Sequence, residues 1–313
     1  MKENAKVVGI GGGTGLSTLL KGIKQWTGHI TAIVTVTDDG GSSGRLRKDF
    51  NILPPGDIRN CLVSLADSRS LLPELFQYRF RGNSNLSGHS FGNLMIAALS
   101  ELTGSFAKGL LEVSQILNIQ GRVLPSTLEN VILGAEFNDG KSLLGQTRIV
   151  GYRQSIKKVF LQPSSPQAYK GVIKACREAE LIVLGPGSLF SSIIPNLLVR
   201  GVAEAIRESK AKKVYICNIM TQPGETDGFK AGDHVRVVEN YLGCELDYIL
   251  IDSSKIPDSL TNRHAESNSF KVVDDLKHVQ SGTRIIREEL FGGNQYIRHD
   301  PARTAEIIFK KII

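Results

Sequence analysis

Near the start of the chain, a four-residue apolar segment (7–10) runs directly into a five-residue segment (11–15) that contains four glycines and a threonine. An apolar pattern with helical spacing follows, so the sequence predicts a buried strand, a tight turn and a helix N-terminus. Glycine lets the backbone approach a ligand closely, and the free N–H groups of a helix N-terminus favour phosphate. The residues expected to form this phosphate or diphosphate site are Gly11, Gly12, Gly13, Thr14 and Gly15.

The spacing of these glycines disfavours two standard nucleotide motifs. No register of the segment gives Gly-x-Gly-x-x-Gly, and no Gly-Lys-Ser/Thr completes a nucleotide triphosphate loop. An NAD-dependent dehydrogenase is therefore disfavoured, also because no catalytic pair of residues is apparent. The structural alternative is a glycine-rich turn that only packs the helix on the sheet.

A second β-branched segment (30–37) ends in two adjacent carboxylates and a glycine, Asp38, Asp39 and Gly40. In a βαβ unit, an acidic residue about 20 positions after the glycines is placed to bind a ribose hydroxyl. Neighbouring residues at a strand end point to opposite faces, so one carboxylate is expected to face the ligand. The other would bind a cation or cap the next helix, which makes both aspartates candidate magnesium ligands; a solvated turn is the alternative.

A similar strand, glycine loop and helix are predicted later in the chain. The apolar segment 181–184 runs into a loop that contains Gly187 and Ser188, and a helix over 192–208 includes Asn196. A further strand, 213–217, ends at Asn218. Because the loops at the carboxyl ends of parallel strands meet at one edge of the sheet, these loops and the first glycine loop are expected to face one crevice, with Ser191 also presented there.

The order of elements predicts an α/β fold with a doubly wound, mostly parallel Rossmann-like sheet. Residues 1–313 are expected to form a single nucleotide-binding domain, with residues 67–150 inserted as a helical and hairpin segment. Within that insertion, strands are predicted at 123–125, 131–133 and 147–150. His89 stands at the start of an apolar helix, where it either contacts a substrate or closes a turn.

The composition is that of a globular protein with anionic small-molecule ligands. Of the 313 residues, 41% are hydrophobic, and the net charge is +7. The basic residues are scattered and only 6% of residues are aromatic, so no stacking surface for nucleic acid is predicted. The four cysteines lack metal-ligand spacing, and no leader or membrane-spanning pattern is apparent, so a cytoplasmic protein without membrane insertion is expected.

The sequence resembles the YvcK/CofD-like family, and specifically its gluconeogenesis-factor (YvcK-type) branch. The likeness covers essentially the whole chain and is carried by six segments: residues 11–15, 37–44, 53–60, 89–93, 185–196 and 218–226. It implies a Rossmann-like sheet with a helical insertion, a homodimer, and nucleotide ligands at the carboxyl edge of the sheet.

The resemblance implies two functions. The YvcK-type branch is associated with binding UDP-sugars such as UDP-N-acetylglucosamine, with cell shape and cell-wall synthesis, and with growth on gluconeogenic carbon sources, which makes cell-wall synthesis proteins candidate partners. The enzymatic branch is a magnesium-dependent 2-phospho-L-lactate transferase acting on a nucleotide-activated donor. Segments 53–59 and 185–189 depart from the transferase pattern, whereas Arg298 matches a tail arginine of the YvcK-type branch.

The expected ligand site follows from these motifs together, and no nucleophile and base are apparent beside it. Its residues are Gly11, Gly12, Gly13, Thr14, Gly15, Asp38, Asp39, Gly40, Gly187, Ser188, Asn196, Asn218 and Arg298. A UDP-sugar-binding regulator is the favoured interpretation, and a phosphoryl-group transferase is the alternative.

Overall fold

The computed structural model describes residues 4–67, 69–276, 282–293 and 296–313. The strands are β1 (Val7–Gly11), β2 (Ile30–Val34), β3 (Arg122–Pro125), β4 (Ile132–Phe137), β5 (Ser142–Leu144), β6 (Ile156–Gln162), β7 (Leu181–Leu184), β8 (Lys212–Ile216), β9 (Tyr248–Asp252), β10 (Arg284–Glu288), β11 (Phe291–Gly292) and β12 (Arg298–His299).

The helices flank the sheet and form the insertion. They are α1 (Gly13–Ile23), α2 (Gly41–Phe50), α3 (Gly56–Leu65), α4 (Leu72–Gln77), α5 (Phe91–Leu102), α6 (Phe106–Ile116), α7 (Gln146–Tyr152), α8 (Lys170–Glu178), α9 (Ile194–Leu197), α10 (Val202–Glu208), α11 (Ala231–Leu242), α12 (Asp258–Ala265) and α13 (Pro301–Lys311). A π-helical turn, Leu189–Ile193, leads into α9.

The central sheet confirms the predicted fold class. In the described part of the chain it has seven parallel strands in the order β10-β9-β8-β7-β1-β2-β3. Strands such as β1, β2 and β7 are continuous apolar runs buried at every residue, as expected where helices cover both faces. The strand order reverses between β1 and β7, and this switch point is where doubly wound sheets open a crevice.

Three predicted elements differ in the structure. Residues 147–150 are helical in α7 and not a strand, because the Asp39 carboxylate caps the first turn by accepting hydrogen bonds from Thr147. Strand β3 lies within the range predicted as an insertion, yet it pairs with β2 in the central sheet. The predicted helix over 192–208 is interrupted between α9 and α10, where Gly201 has a φ of 90°.

The insertion is divided into two parts around β3. Helices α4, α5 and α6 precede it, and a three-stranded antiparallel sheet in the order β5-β4-β6 follows it. Residues 158–161, whose sequence predicts a strand of the doubly wound sheet, lie in β6 and so belong to this small sheet instead. A sequence window cannot distinguish the two sheets, since both use alternating or continuous apolar runs.

Helices α1 and α13 pack closely where Gly22 meets the start of α13. A Cβ on Gly22 would lie 1.8 Å from the Pro301 carbonyl oxygen and 2.9 Å from the Ala305 Cβ. Gly22→Ala is therefore expected to destabilise the protein by about 1–3 kcal/mol, the usual range for overpacking, as measured by urea unfolding. Gly28→Ala is the matched control, since nothing lies within 4 Å of its Cβ position; equal stability of the two variants would contradict the close contact.

Candidate functional site

A cavity of about 520 Å³ opens at the carboxyl edge of the central sheet, over the switch point between β1 and β7. Its walls are the N-terminus of α1, the loops that follow β2, β7 and β8, and the C-terminal segment before α13. The volume is in the range of small-molecule sites. The predicted residues that line it are Gly12, Gly13, Thr14, Gly15, Asp38, Gly187, Ser188, Asn218 and Arg298.

The first wall is the glycine loop and the first turn of α1. The helix begins at Gly13, and its N-cap residue, Gly12, has no side chain that could cap it, so the loop itself forms the helix end that faces the cavity. Thr14 is exposed there. A Cβ on Gly15 would lie 2.2 Å from the Pro186 carbonyl oxygen, so only glycine lets the two glycine loops approach this closely. An exposed helix N-terminus provides backbone donors and a positive dipole end for an anion.

Two carboxylates form an acidic corner beside this helix end. Asp57, in the first turn of α3, accepts the Gly13 N–H and faces Asp38. Burial, and secondarily the nearby Asp38 charge, raise the pKa of Asp57 to about 7, although the Gly13 hydrogen bond and Arg59 oppose the shift. Asp57 lines the cavity, but sequence analysis did not single it out as a site residue. The one sequence feature that could have identified it is that Asp57 lies in segment 53–60, one of the six segments that carry the family resemblance.

The second predicted carboxylate, Asp39, faces away from the cavity. Its Oδ1 accepts hydrogen bonds from the Thr147 N–H (2.9 Å) and hydroxyl (2.6 Å). The pair that meets in the cavity is thus Asp38 with Asp57, and the Gln146 side chain lines the same corner. Among the described residues no group of three or more His, Cys, Asp or Glu could hold a metal ion. A hard cation would need these two carboxylates, the Gln146 carbonyl and ligand oxygens.

The loops after β7 and β8 are tied to each other. The Asn218 side-chain amide binds the Gly187 backbone twice, accepting its N–H (3.2 Å) and donating to its carbonyl (2.8 Å). Gln222 donates to the Ser188 hydroxyl at 2.7 Å. Asn218 therefore lines the cavity mainly as the residue that fixes the second glycine loop.

The helix end after β7 is closed by Glu225. Its buried carboxylate accepts the N–H groups of Phe190 (3.1 Å) and Ser191 (3.2 Å) and the Ser191 hydroxyl (2.6 Å). Burial raises the pKa of this carboxyl, while these hydrogen bonds lower it. Ser191 is thus directed at Glu225 and not presented to the crevice as expected, so the open helix N-terminus of the cavity is that of α1.

Four other sequence candidates lie outside the cavity wall. Gly11 is the buried last residue of β1, and the buried Asn196 donates to its carbonyl at 3.1 Å. Gly40 donates its N–H to Asp38 at 3.0 Å, which orients that carboxylate. His89 is buried, with its Nδ1 2.9 Å from the Ser42 hydroxyl, which fits the interpretation that it closes a turn.

The far wall is the segment that contains Arg298. This arginine is exposed, and its guanidinium lies 5.3 Å from the centre of the Tyr296 ring. His299 donates through Nε2 to the Cys217 carbonyl at 3.1 Å, and burial lowers its pKa to about 4, so the ring is neutral. His264 of α12 accepts the Ile297 N–H at 3.3 Å and also lines the cavity. No local motif could have identified His264, because its position depends on the C-terminal segment.

This architecture defines a doubly wound α/β protein with a cavity at its switch point. The family model described as 2-phospho-L-lactate transferase CofD matches residues 7–291. The chain belongs to this CofD family.

The relatives place it beside the gluconeogenesis factors. The gluconeogenesis factor of Bacillus subtilis is 45% identical over 311 residues, covering 98% of each chain. The gluconeogenesis factor of Halalkalibacterium halodurans is 46% identical over 312 residues, covering 98% of this chain and 97% of that one. A crystal structure of a protein from Bacillus halodurans is 44% identical, with a TM-score of 0.95 over 98% of this chain and all of that one.

None of the helices in the described ranges combines the length and apolar character required to span a membrane.

Proposed function

We propose that this protein is a cytoplasmic regulatory protein that binds a UDP-sugar such as UDP-N-acetylglucosamine in the switch-point cavity. The observation that carries the proposal is that the N-terminus of α1 and the exposed Arg298 line the same cavity. A diphosphate has two anionic groups, and both walls provide donors for anions. The names of the relatives support a role in growth on gluconeogenic carbon sources.

The ligand would lie with its diphosphate along Gly12, Gly13, Thr14 and Gly15. Asp38 and Asp57 would accept hydrogen bonds from ribose or sugar hydroxyls, which is the usual role of a carboxylate in such a crevice. Signalling to cell-wall synthesis proteins, and action as a homodimer, are further parts of this proposal.

The second candidate is a magnesium-dependent transferase acting on a nucleotide diphosphate-activated donor. Two observations favour it: the family match and the Asp38–Asp57 pair, which could hold a magnesium ion on a diphosphate. Metal-assisted transfer needs no nucleophile and base pair, so the geometry of the cavity suits it as well.

A thermal-shift screen distinguishes the two functions, because a ligand that binds only the folded state raises the unfolding midpoint. The ligands are UDP-N-acetylglucosamine, UDP-glucose, GDP and ATP, each with and without magnesium. Stabilisation by a UDP-sugar that is recovered intact after incubation supports the regulator. Stabilisation by GDP that requires magnesium supports the transferase, and no stabilisation by any UDP-sugar contradicts the proposed function.

Arg298→Ala is expected to weaken binding of UDP-N-acetylglucosamine about tenfold, the scale of one charge-assisted hydrogen bond. Isothermal titration calorimetry measures the change. Arg81→Ala is the control, since Arg81 is also exposed but does not line the cavity. Unchanged affinity of the Arg298 variant would remove this residue from the site.

A further inference from the structure

The position of Arg298 depends on a small hairpin and not on the central sheet. Strand β12 pairs antiparallel with β11, with Gly292 opposite Arg298 and Phe291 opposite His299. Each strand has only two residues. An isolated two-stranded hairpin is marginally stable, so other contacts must fix where the Arg298 guanidinium lies.

The strongest of these contacts comes from a carboxylate at the end of β9. The side chain of Asp252 is only 2% exposed. Its Oδ1 accepts the N–H groups of Leu290 (2.9 Å) and Phe291 (3.0 Å), and also the Ser254 hydroxyl. Hydrogen bonds to an ionised acceptor are stronger than neutral ones. The carboxylate therefore holds the first strand of the hairpin at its start.

Asp252 forms an ion pair with Lys271, but this contact is not a hydrogen bond. Its Oδ2 is buried, lies 3.6 Å from the Lys271 ammonium, and has no hydrogen-bond partner in the described part of the chain. Lys271 instead donates to the Ser254 carbonyl at 2.6 Å. Burying a carboxylate costs free energy unless its oxygens accept hydrogen bonds. The N–H groups of Leu290 and Phe291 therefore offset the burial of Asp252, and Asp252 in turn fixes the position of the hairpin.

Backbone contacts hold the second strand of the hairpin against the first at the same open end. The Asp300 N–H donates to the Leu290 carbonyl at 2.7 Å. A Cβ on Gly292 would lie 2.7 Å from the Asp300 Cβ, so the absence of a side chain there permits this close approach. Its two sequence neighbours are also anchored: His299 donates to the Cys217 carbonyl, and the Ile297 N–H donates to His264, so Arg298 lies between two fixed residues.

We propose that Asp252 is a positioning residue for Arg298. By binding the amides at the start of the hairpin, it sets where the guanidinium meets an anionic group of the ligand, although Asp252 does not itself line the cavity. The inference rests on the proposed function, because it requires that the cavity binds an anionic nucleotide sugar. Ligand affinity should then depend on Asp252 only while Arg298 is present.

A double-mutant cycle read by calorimetry with UDP-N-acetylglucosamine tests this dependence. Asp252→Ala is expected to weaken binding about tenfold, as Arg298→Ala does, and the double variant should bind within about threefold of Arg298→Ala alone. Glu239→Ala is the matched control: it also removes a carboxylate that accepts a backbone N–H, that of Leu246, but away from the cavity wall. Its affinity should equal that of the wild type.

Two results overturn the inference: wild-type affinity of Asp252→Ala, or losses that multiply in the double variant, since Asp252 would then act independently of Arg298. If Asp252→Ala does not fold, Asp252→Asn replaces it in the same cycle. That variant keeps an acceptor oxygen without the charge, and it should lose about threefold in affinity, again only with Arg298 present. Failure of the wild type to bind would overturn the proposed function instead.

Discussion

Gly15→Ala is expected to abolish measurable binding of UDP-N-acetylglucosamine and to destabilise the protein by on the order of 3 kcal/mol, the upper range for overpacking. The new Cβ would lie 2.2 Å from the Pro186 carbonyl oxygen and 2.9 Å from the Gly187 Cα. Both atoms belong to backbone, which cannot rotate away as a side chain can. The two glycine loops must therefore separate, and the helix end and the second loop no longer form one cavity.

Calorimetry measures the loss of ligand binding, and urea unfolding measures the loss of stability. Gly151→Ala is the control, because it also lies in a helix but has nothing within 4 Å of its Cβ position. A Gly15→Ala protein that binds the ligand with wild-type affinity would show that close contact of the two loops is not required for the site.

Asp57→Asn is expected to stabilise the ligand-free protein at pH 8 by on the order of 2–4 kcal/mol, since one pKa unit corresponds to about 1.4 kcal/mol. The pKa of Asp57 is raised from 3.8 to about 7 in the folded protein. The folded state thus holds the proton more tightly than the unfolded state. The contribution of Asp57 to the free energy of unfolding is therefore largest below about pH 4, and it is lost as the pH rises to about 7.

Urea unfolding at several pH values between 5 and 8 tests this, with the advantage of the variant growing as the pH rises. Asparagine can still accept the Gly13 N–H, and its amide no longer repels Asp38. Asp67→Asn provides a contrast of opposite sign, because hydrogen bonds from Arg69 lower the pKa of Asp67 to about 2. That variant should gain no stability at pH 8. Equal stability of wild type and Asp57→Asn at pH 8 would contradict the raised pKa.

The fold could be predicted because its signals are local. Each of β1, β2 and β7 is a mainly apolar run with glycine or aspartate at its end or within the next four residues, and this pattern is typical of a parallel strand followed by a ligand loop. The misassigned elements lacked such a signal. Thr147 and Ile149 are β-branched, but the helix they belong to begins because the carboxylate of Asp39, more than 100 residues earlier, binds its first turn.

The cavity lining was predictable for residues in or just after a strand-end loop, such as Thr14 and Asp38. Whether they bind a ligand stays a prediction. The residues next to a polar side chain in the sequence do not show whether that side chain faces the cavity or hydrogen-bonds another part of the protein. Asn196 and Asn218 are both polar residues near strand ends, yet one is buried against β1 and the other holds Gly187. Asp57 and His264 reach the cavity only through tertiary packing, which no spacing rule describes.

The carboxylate of Glu225 makes the two halves of the doubly wound sheet unequal. Each half has a strand, a glycine loop and a helix, but the helix end of the second half is already bonded to the Glu225 carboxyl group of the same chain. Although the strand, loop and helix unit occurs twice, we therefore expect only the first unit to offer its helix end to a phosphate group. The first half presents its helix end to the cavity, with one N–H bonded to Asp57, whereas the N–H groups of Phe190 and Ser191 in the second half are both bonded to Glu225.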